Sequence, residues 1–178
     1  MSDELQADIF HMYEYGTASI LAFTKMCLNE GDNSNSLPIN DFGSPVKLNR
    51  DTELTGKHYG RGVYHYINPR WCKTVVVWKE LGNLDIELFA VFLRPFYLYR
   101  EFPQLFFHLV YIHPEGNASA ATEHVKDKLD ELKLISSDAP KVIVGDFNHG
   151  SVDKSRKGFY QYNNCTICLG KTLDKCYY

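Results

Sequence analysis

Short runs of apolar, β-branched and aromatic residues dominate the hydrophobic pattern of this chain. They have the length and composition of buried β-strands, and several are bounded by glycine, proline or asparagine. In chain order the predicted strands are 19–23, 63–67, 74–78, 87–93, 106–112 and 142–144. Two polar stretches, 29–36 and 49–62, are predicted to be loops.

One segment has the period of an amphipathic helix. Its apolar residues form a single stripe made of Ala118, Ala121, Val125, Leu129 and Leu132. Charged residues lie off this stripe, which is typical of a helix packed on one face: Glu123, Lys126, Asp127, Asp130 and Lys133. Asn117 or Ser119 is expected to cap its start, and Pro140 excludes a helix beyond it. A second helix, at 3–13, has a weaker pattern.

Many strands and few helices, with the helix 118–135 between two apolar strands, indicate two sheets packed together with helices outside. The predicted fold class is therefore α+β, a sandwich. With 178 residues and 44% hydrophobic residues, the chain is expected to form one domain, and intrinsic disorder and coiled coil are excluded.

The net charge of −3 differs from the strongly basic balance of a dedicated nucleic-acid binder. The charge is uneven, because residues 154–178 carry five basic residues and one acidic residue. Lys154, Arg156 and Lys157 are candidates for phosphate contacts. The alternative, that this segment is simply a solvated surface, remains open.

The five cysteines are scattered, and the chain starts without an apolar leader segment. We therefore expect free thiols and an intracellular protein of the nucleus or cytoplasm that is not secreted. The apolar runs are too short to cross a membrane, so no membrane partner is expected.

The most informative motif is Gly-Asp-Phe-Asn at 145–148, directly after a buried strand. Residues two apart in an extended chain point the same way, so Asp146 and Asn148 are expected to project together. A carboxylate can take a proton from water or bind a divalent cation, and an amide can orient a phosphate. An ordinary turn is the alternative interpretation.

Two further residues are weaker candidates on their own. Tyr111 ends an apolar strand, where its phenol could donate to a phosphate oxygen or simply close the core. Asp174 lies near the C-terminus among apolar and basic neighbours.

Together these and other segments resemble one family, the apurinic-endonuclease-like domain of LINE-type retrotransposons. This domain belongs to the endonuclease/exonuclease/phosphatase superfamily. The segments 94–97 and 67–72 are specific to the retroelement branch. The matching segments cover nearly the whole chain in order: 3–7, 20–24, 50–57, 66–72, 94–102, 110–112, 117–121, 145–149 and 173–177.

The resemblance implies a four-layer α/β/β/α sandwich and Mg²⁺-dependent cleavage of DNA by water. It implies that Asp146 activates the nucleophile with Asn148 as its partner, that Tyr111 contacts phosphate, and that Asp174 is the late active-site aspartate. These four residues are the predicted catalytic set.

This sequence also departs from the family pattern at positions that matter for metal binding and catalysis. Where the family has a metal-binding glutamate this chain has Lys25, so the metal ligands are unknown. Residues 1–178 are expected to form one incomplete domain, without the family's first strand and without its last strand, which carries Asp and His. We expect Lys25 to pair with Asp146 or Asp174 and to exclude Mg²⁺.

The sequence thus predicts a degenerate LINE-type endonuclease domain with weak or no activity and weak, non-specific DNA binding. The first alternative is a domesticated, non-catalytic module that binds nucleic acid or protein. The second is a phosphatase of the same superfamily, which the retroelement-specific segments disfavour.

Overall fold

Eight strands and two helices make up the secondary structure of the part of the chain that the computed structural model describes. That part is residues 13–25, 39–49, 62–98, 100–102, 104–152, 159–162 and 174–178. The elements are α1 (Tyr13–Thr17), β1 (Ile20–Phe23), β2 (Val46–Asn49), β3 (Gly62–Ile67), β4 (Cys72–Gly82), β5 (Ile86–Pro95), β6 (Leu105–Ile112), α2 (Ala118–Ile135), β7 (Lys141–Asp146) and β8 (Asp174–Tyr177).

The strands form two sheets. The smaller sheet has the order β1-β3-β2 and is antiparallel, and the larger has the order β4-β5-β6-β7-β8. In the larger sheet only β6 and β7 run parallel. A parallel pair needs a crossover connection, and α2 provides it.

The alternation of side chains along β6 separates two apolar clusters. Phe107, Leu109 and Tyr111 face the smaller sheet, where they pack with Val63 of β3. Val110 and its neighbours on the other face pack under α2, which buries Ala121, Val125, Leu129 and Leu132. Two packed sheets with a helix outside confirm the predicted α+β sandwich.

The central elements match the sequence predictions. Helix α2 spans 118–135 as predicted, and the Asn117 side chain caps it by accepting from the backbone N–H groups of Ser119 and Ala120, both at 3.1 Å. All six predicted strands are present, most of them longer than predicted.

Two elements were not predicted, namely the four-residue strands β2 and β8. The helix expected at 3–13 lies outside the described residues except for its last position, where α1 begins. The loops expected at 29–36 and 49–62 also lie outside them, apart from Asn49 and Gly62, which pair in the smaller sheet.

Two further expectations concern thiols and membranes. Cys72, which the structure buries, is a free thiol, as expected. Neither helix in the described residues is long and apolar enough to span a membrane.

Candidate active site

The candidate residues come together at the end of the larger sheet where β6 and β7 finish. Asp146 lies opposite Tyr111 in the parallel register and opposite Asp174 in the antiparallel register. Residues in register on neighbouring strands project from the same face of a sheet. Tyr111, Asp146 and Asp174 therefore form one row on the face that packs against the smaller sheet.

Gly145 allows β7 to lie this close to β6. Its φ is +142°, a conformation that L side chains rarely adopt, and an added Cβ would lie 2.8 Å from the carbonyl carbon of Val110 and closer still to its oxygen. The glycine before Asp146 is therefore a requirement of the strand pairing that positions the carboxylate.

Asn148 is placed by a turn, so the expectation that Asp146 and Asn148 project together from extended chain is wrong. Its φ is 47°, in the left-handed region that asparagine tolerates better than most residues. Its Nδ2 donates to the carbonyl oxygen of Ile112 at 2.7 Å, and its backbone N–H donates to Oδ1 of Asp146 at 3.1 Å. The amide thus ties the loop after β7 to the end of β6.

Lys25, two residues after the end of β1, reaches across from the smaller sheet. Its Nζ lies 2.5 Å from Oδ2 of Asp146 and 5.3 Å from the centre of the Tyr111 ring. The hydrogen bond to Asp146 raises the pKa of Lys25, partly opposed by burial. The expected pairing of Lys25 with Asp146 or Asp174 is confirmed, and the partner is Asp146.

The second aspartate has a different electrostatic environment. Burial raises the pKa of Asp174, the charge of Asp146 raises it further, and Lys25 lowers it. Two carboxylates therefore face each other across β7 and β8 with one ammonium nearby. Removing that ammonium would favour protonation of Asp174.

These residues do not fit a magnesium ion. Both oxygens of Asp146 are engaged, Oδ2 by the Lys25 ammonium and Oδ1 by the Asn148 N–H. Mg²⁺ needs near-octahedral oxygen ligands, with a carboxylate among them. Among the residues that the structure describes, no three His, Cys, Asp or Glu residues are grouped so that they could hold a metal.

Glu87 was missed as a member of this row. It is fully buried and lies opposite Tyr111 in the register of β5 and β6. A glutamate at the start of an otherwise apolar run was the available sequence signal. The proposed phosphate contacts Lys154, Arg156 and Lys157 lie outside the described residues.

Several solved structures have a fold similar to that of this chain. No protein-family model and no curated protein matches the chain. Truncated TDP2 of Caenorhabditis elegans superposes with a TM-score of 0.63 at 13% identity, over 99% of this chain and 76% of that one.

Two further solved structures agree. An endonuclease/exonuclease/phosphatase family protein of Bacteroides thetaiotaomicron gives a TM-score of 0.59 at 15% identity, covering 99% of this chain and 74% of that one. ANGEL2, a 2',3'-cyclic phosphatase, gives a TM-score of 0.55 at 12% identity, covering 90% of this chain and 48% of that one. The chain therefore has the fold of the endonuclease/exonuclease/phosphatase proteins.

Proposed function

We propose that this chain is the endonuclease domain of a LINE-type retroelement whose Mg²⁺-dependent cleavage of DNA has degenerated. Its fold is that of nucleases and phosphatases of one superfamily. Within that superfamily, the segments 94–97 and 67–72 favour the retroelement endonucleases. Tyr111, Asp146, Asn148 and Asp174 are the proposed remnant of the catalytic set.

The observation that carries the proposal is the ion pair of Lys25 with Asp146. In the family chemistry, a bound Mg²⁺ stabilises the charge that develops on the phosphate. In this chain an ammonium lies where such a cation would have to approach Asp146, with its Nζ 2.5 Å from Oδ2. Each oxygen of Asp146 keeps a second lone pair, but the Lys25 ammonium restricts the approach of a water or a cation to Oδ2.

What remains is a site suited to weak contact with a phosphodiester. The phenol of Tyr111 could donate to a phosphate oxygen, and the side chain of Lys25 is 49% exposed. Lys154, Arg156 and Lys157 are proposed to add contacts to the DNA backbone. Binding of this kind is non-specific and weakens steeply with salt.

A non-catalytic module that binds nucleic acid or protein is the second candidate. The same ion pair favours it, because a neutralised Asp146 keeps the end of the sheet folded without a metal. In this case the fold persists as a binding surface and the hydrolytic activity is absent.

The test is Mg²⁺ titration by calorimetry together with plasmid nicking, on the parent chain, Lys25→Glu and the control Lys73→Glu. Lys73 is an exposed residue of β4, so its replacement makes the same charge change away from the site. We expect no Mg²⁺ binding by the parent or by Lys73→Glu. Lys25→Glu should bind Mg²⁺, because a carboxylate oxygen replaces the ammonium beside Asp146.

The outcomes separate the two candidates. Mg²⁺ binding by Lys25→Glu supports the degenerate endonuclease, even where nicking stays weak, whereas DNA binding without Mg²⁺ binding in any variant supports the module. Robust Mg²⁺-dependent nicking by the parent would overturn the conclusion that this site is degenerate.

A further inference from the structure

Three exposed tyrosines form a cluster beside β8. Tyr160, Tyr162 and Tyr178 are 68%, 75% and 58% exposed. The ring centres of Tyr160 and Tyr178 are 6.5 Å apart, and those of Tyr162 and Tyr178 are 6.1 Å apart. Single exposed aromatic residues are common, but three neighbouring rings open to solvent form a continuous aromatic surface.

The backbone fixes these rings on one face. Tyr160 and Tyr178 exchange two backbone hydrogen bonds of 3.0 and 3.2 Å, and Tyr162 donates its N–H to Cys176 at 2.8 Å. This antiparallel pairing extends the sheet beyond β8. Directly opposed residues share a face, so the three tyrosines project from the same side.

That side is the one that carries the candidate active site. Tyr177 points to the opposite face, where it packs against Phe147 under α2. Its neighbour Tyr178 therefore lies on the face of Asp174, four residues along the chain and about 13 Å away at the usual rise of a strand. The tyrosine cluster and the site therefore lie on the same face of the larger sheet, at its β8 side.

We propose that the tyrosine cluster stacks unpaired bases of a single-stranded nucleic acid whose backbone passes the candidate active site. Stacking on aromatic rings tolerates any base, because every base has a π face. Tyrosine provides this surface at a low cost in side-chain entropy, and its hydroxyl remains in water.

Two observations favour nucleic acid over a protein partner. The cluster continues the face of a site whose proposed ligand is a phosphodiester, so the inference rests on the proposed function. In addition, Lys154, Arg156 and Lys157 precede Tyr160 by three to six residues in the sequence, which places positive charge close to the cluster along the chain. Aromatic rings combined with basic residues are typical of single-strand binding surfaces.

The experiment compares two fluorescently labelled 12-mers by anisotropy: oligo-dT and an abasic oligomer with the same backbone and charge. We expect the parent to bind oligo-dT at least about tenfold more tightly than the abasic strand. Replacing Tyr160 and Tyr162 together by alanine should reduce this preference to about threefold or less. Replacing both by phenylalanine should preserve it, because the rings remain.

The matched control is Tyr97→Ala. Tyr97 follows β5, is 88% exposed and has a neighbouring ring, Phe96, at 6.4 Å. This variant should keep the full preference for oligo-dT. If the double alanine variant does not fold, as judged by circular dichroism, a double leucine variant takes its place.

Equal affinity of the parent for the two strands would overturn the proposal. A preference for oligo-dT that survives replacement of both Tyr160 and Tyr162 by alanine would also overturn it. The same holds if a second copy of the chain covers the tyrosine cluster. Backbone binding or nicking that persists without a preference for bases would refute the stacking surface and leave the proposed function intact. A preference for bases, together with a Lys25→Glu variant that binds no Mg²⁺, would leave the stacking surface and favour the module.

Discussion

The Lys25 ammonium lies 2.5 Å from Oδ2 of Asp146, so a charge pair joins the end of β1 in one sheet to the end of β7 in the other. The pair has two consequences. It links the sheets at the rim of the sandwich, and it occupies the carboxylate on which hydrolysis would depend. The contact that links the two sheets is therefore also the contact on which the proposed loss of activity depends.

The energetic value of this pair should be small. Lys25 is half exposed and solvent screens its charge, so we expect Lys25→Ala to lower the free energy of unfolding by about 1 kcal/mol or less. A double-mutant cycle with Asp146→Asn, measured by urea denaturation, should give a coupling energy of the same size. A coupling of zero would show that the pair contributes nothing to folding.

Gly145 should be far less replaceable than an ordinary strand glycine. Gly145→Ala would force a Cβ against the Val110 carbonyl at a φ of +142°, and we expect a loss of at least about 3 kcal/mol in the free energy of unfolding. The control is Gly82→Ala, because nothing lies within 4 Å of a Cβ added at Gly82. That variant should stay within about 1 kcal/mol of the parent. Similar losses in the two variants would contradict this account of Gly145.

The strain at Asn148 can be separated from its hydrogen bond. Both Asn148→Ala and Asn148→Gly remove the 2.7 Å hydrogen bond to Ile112. Only alanine also bears the cost of a left-handed backbone, so Asn148→Gly should be the more stable variant by about 1 kcal/mol. Thermal melts of the two variants measure the difference. An alanine variant as stable as the glycine variant would mean that the loop relaxes.

The parts of the fold that could be predicted are those with a local cause. Helix α2 has a full apolar stripe and an asparagine cap, and β5 and β6 are long apolar runs, so their sequences alone identify them. The strands β2 and β8 have only four residues each: β2 alternates apolar and polar residues over too short a span to identify it as a strand, and β8 does not alternate. They are strands because a neighbouring strand pairs with them, which a local pattern does not show.

The same distinction applies to the site. Gly-Asp-Phe-Asn could be identified as a candidate from its residue types, but the geometry expected for Asn148 was wrong. The positive φ of Asn148 and its reach to Ile112 depend on a neighbouring strand. The register that aligns Glu87, Tyr111 and Asp146 is likewise a property of the sheet. The roles assigned to these residues still rest on the family resemblance.

The last prediction concerns a histidine in the core between the sheets. His65 on β3 is fully buried, stacks on Phe89 at 5.1 Å and meets Phe107 edge-on at 5.2 Å. Neither ring nitrogen has a hydrogen-bond partner in the part of the chain that the structure describes. Burial, with a smaller contribution from His108, lowers the pKa of His65 to about 3.

A histidine whose pKa is lower in the folded state makes folding sensitive to acid. The unfolded chain takes up the proton near pH 6.5 and the folded chain only near pH 3, so this part of the stability is complete above pH 6.5 and is lost as the pH falls below it. Below pH 6.5 the free energy of unfolding falls with a slope that approaches about 1.4 kcal/mol per pH unit. At pH 5 the loss of stability from His65 is about 2 kcal/mol. Burial lowers the pKa of His108 to about 4, so His108 also makes the free energy of unfolding fall as the pH decreases.

His65→Phe should remove the first slope while filling the space between Phe89 and Phe107. We expect this variant to be more stable than the parent at pH 7.5 by about 1–3 kcal/mol, because two unpartnered ring nitrogens leave the core. Its advantage should grow by about 2 kcal/mol at pH 5. Urea denaturation at the two pH values measures both effects, with His124→Gln on the partly exposed side of α2 as the control. An advantage that is the same at pH 5 and pH 7.5 would mean that His65 does not titrate differently in the folded and unfolded chains.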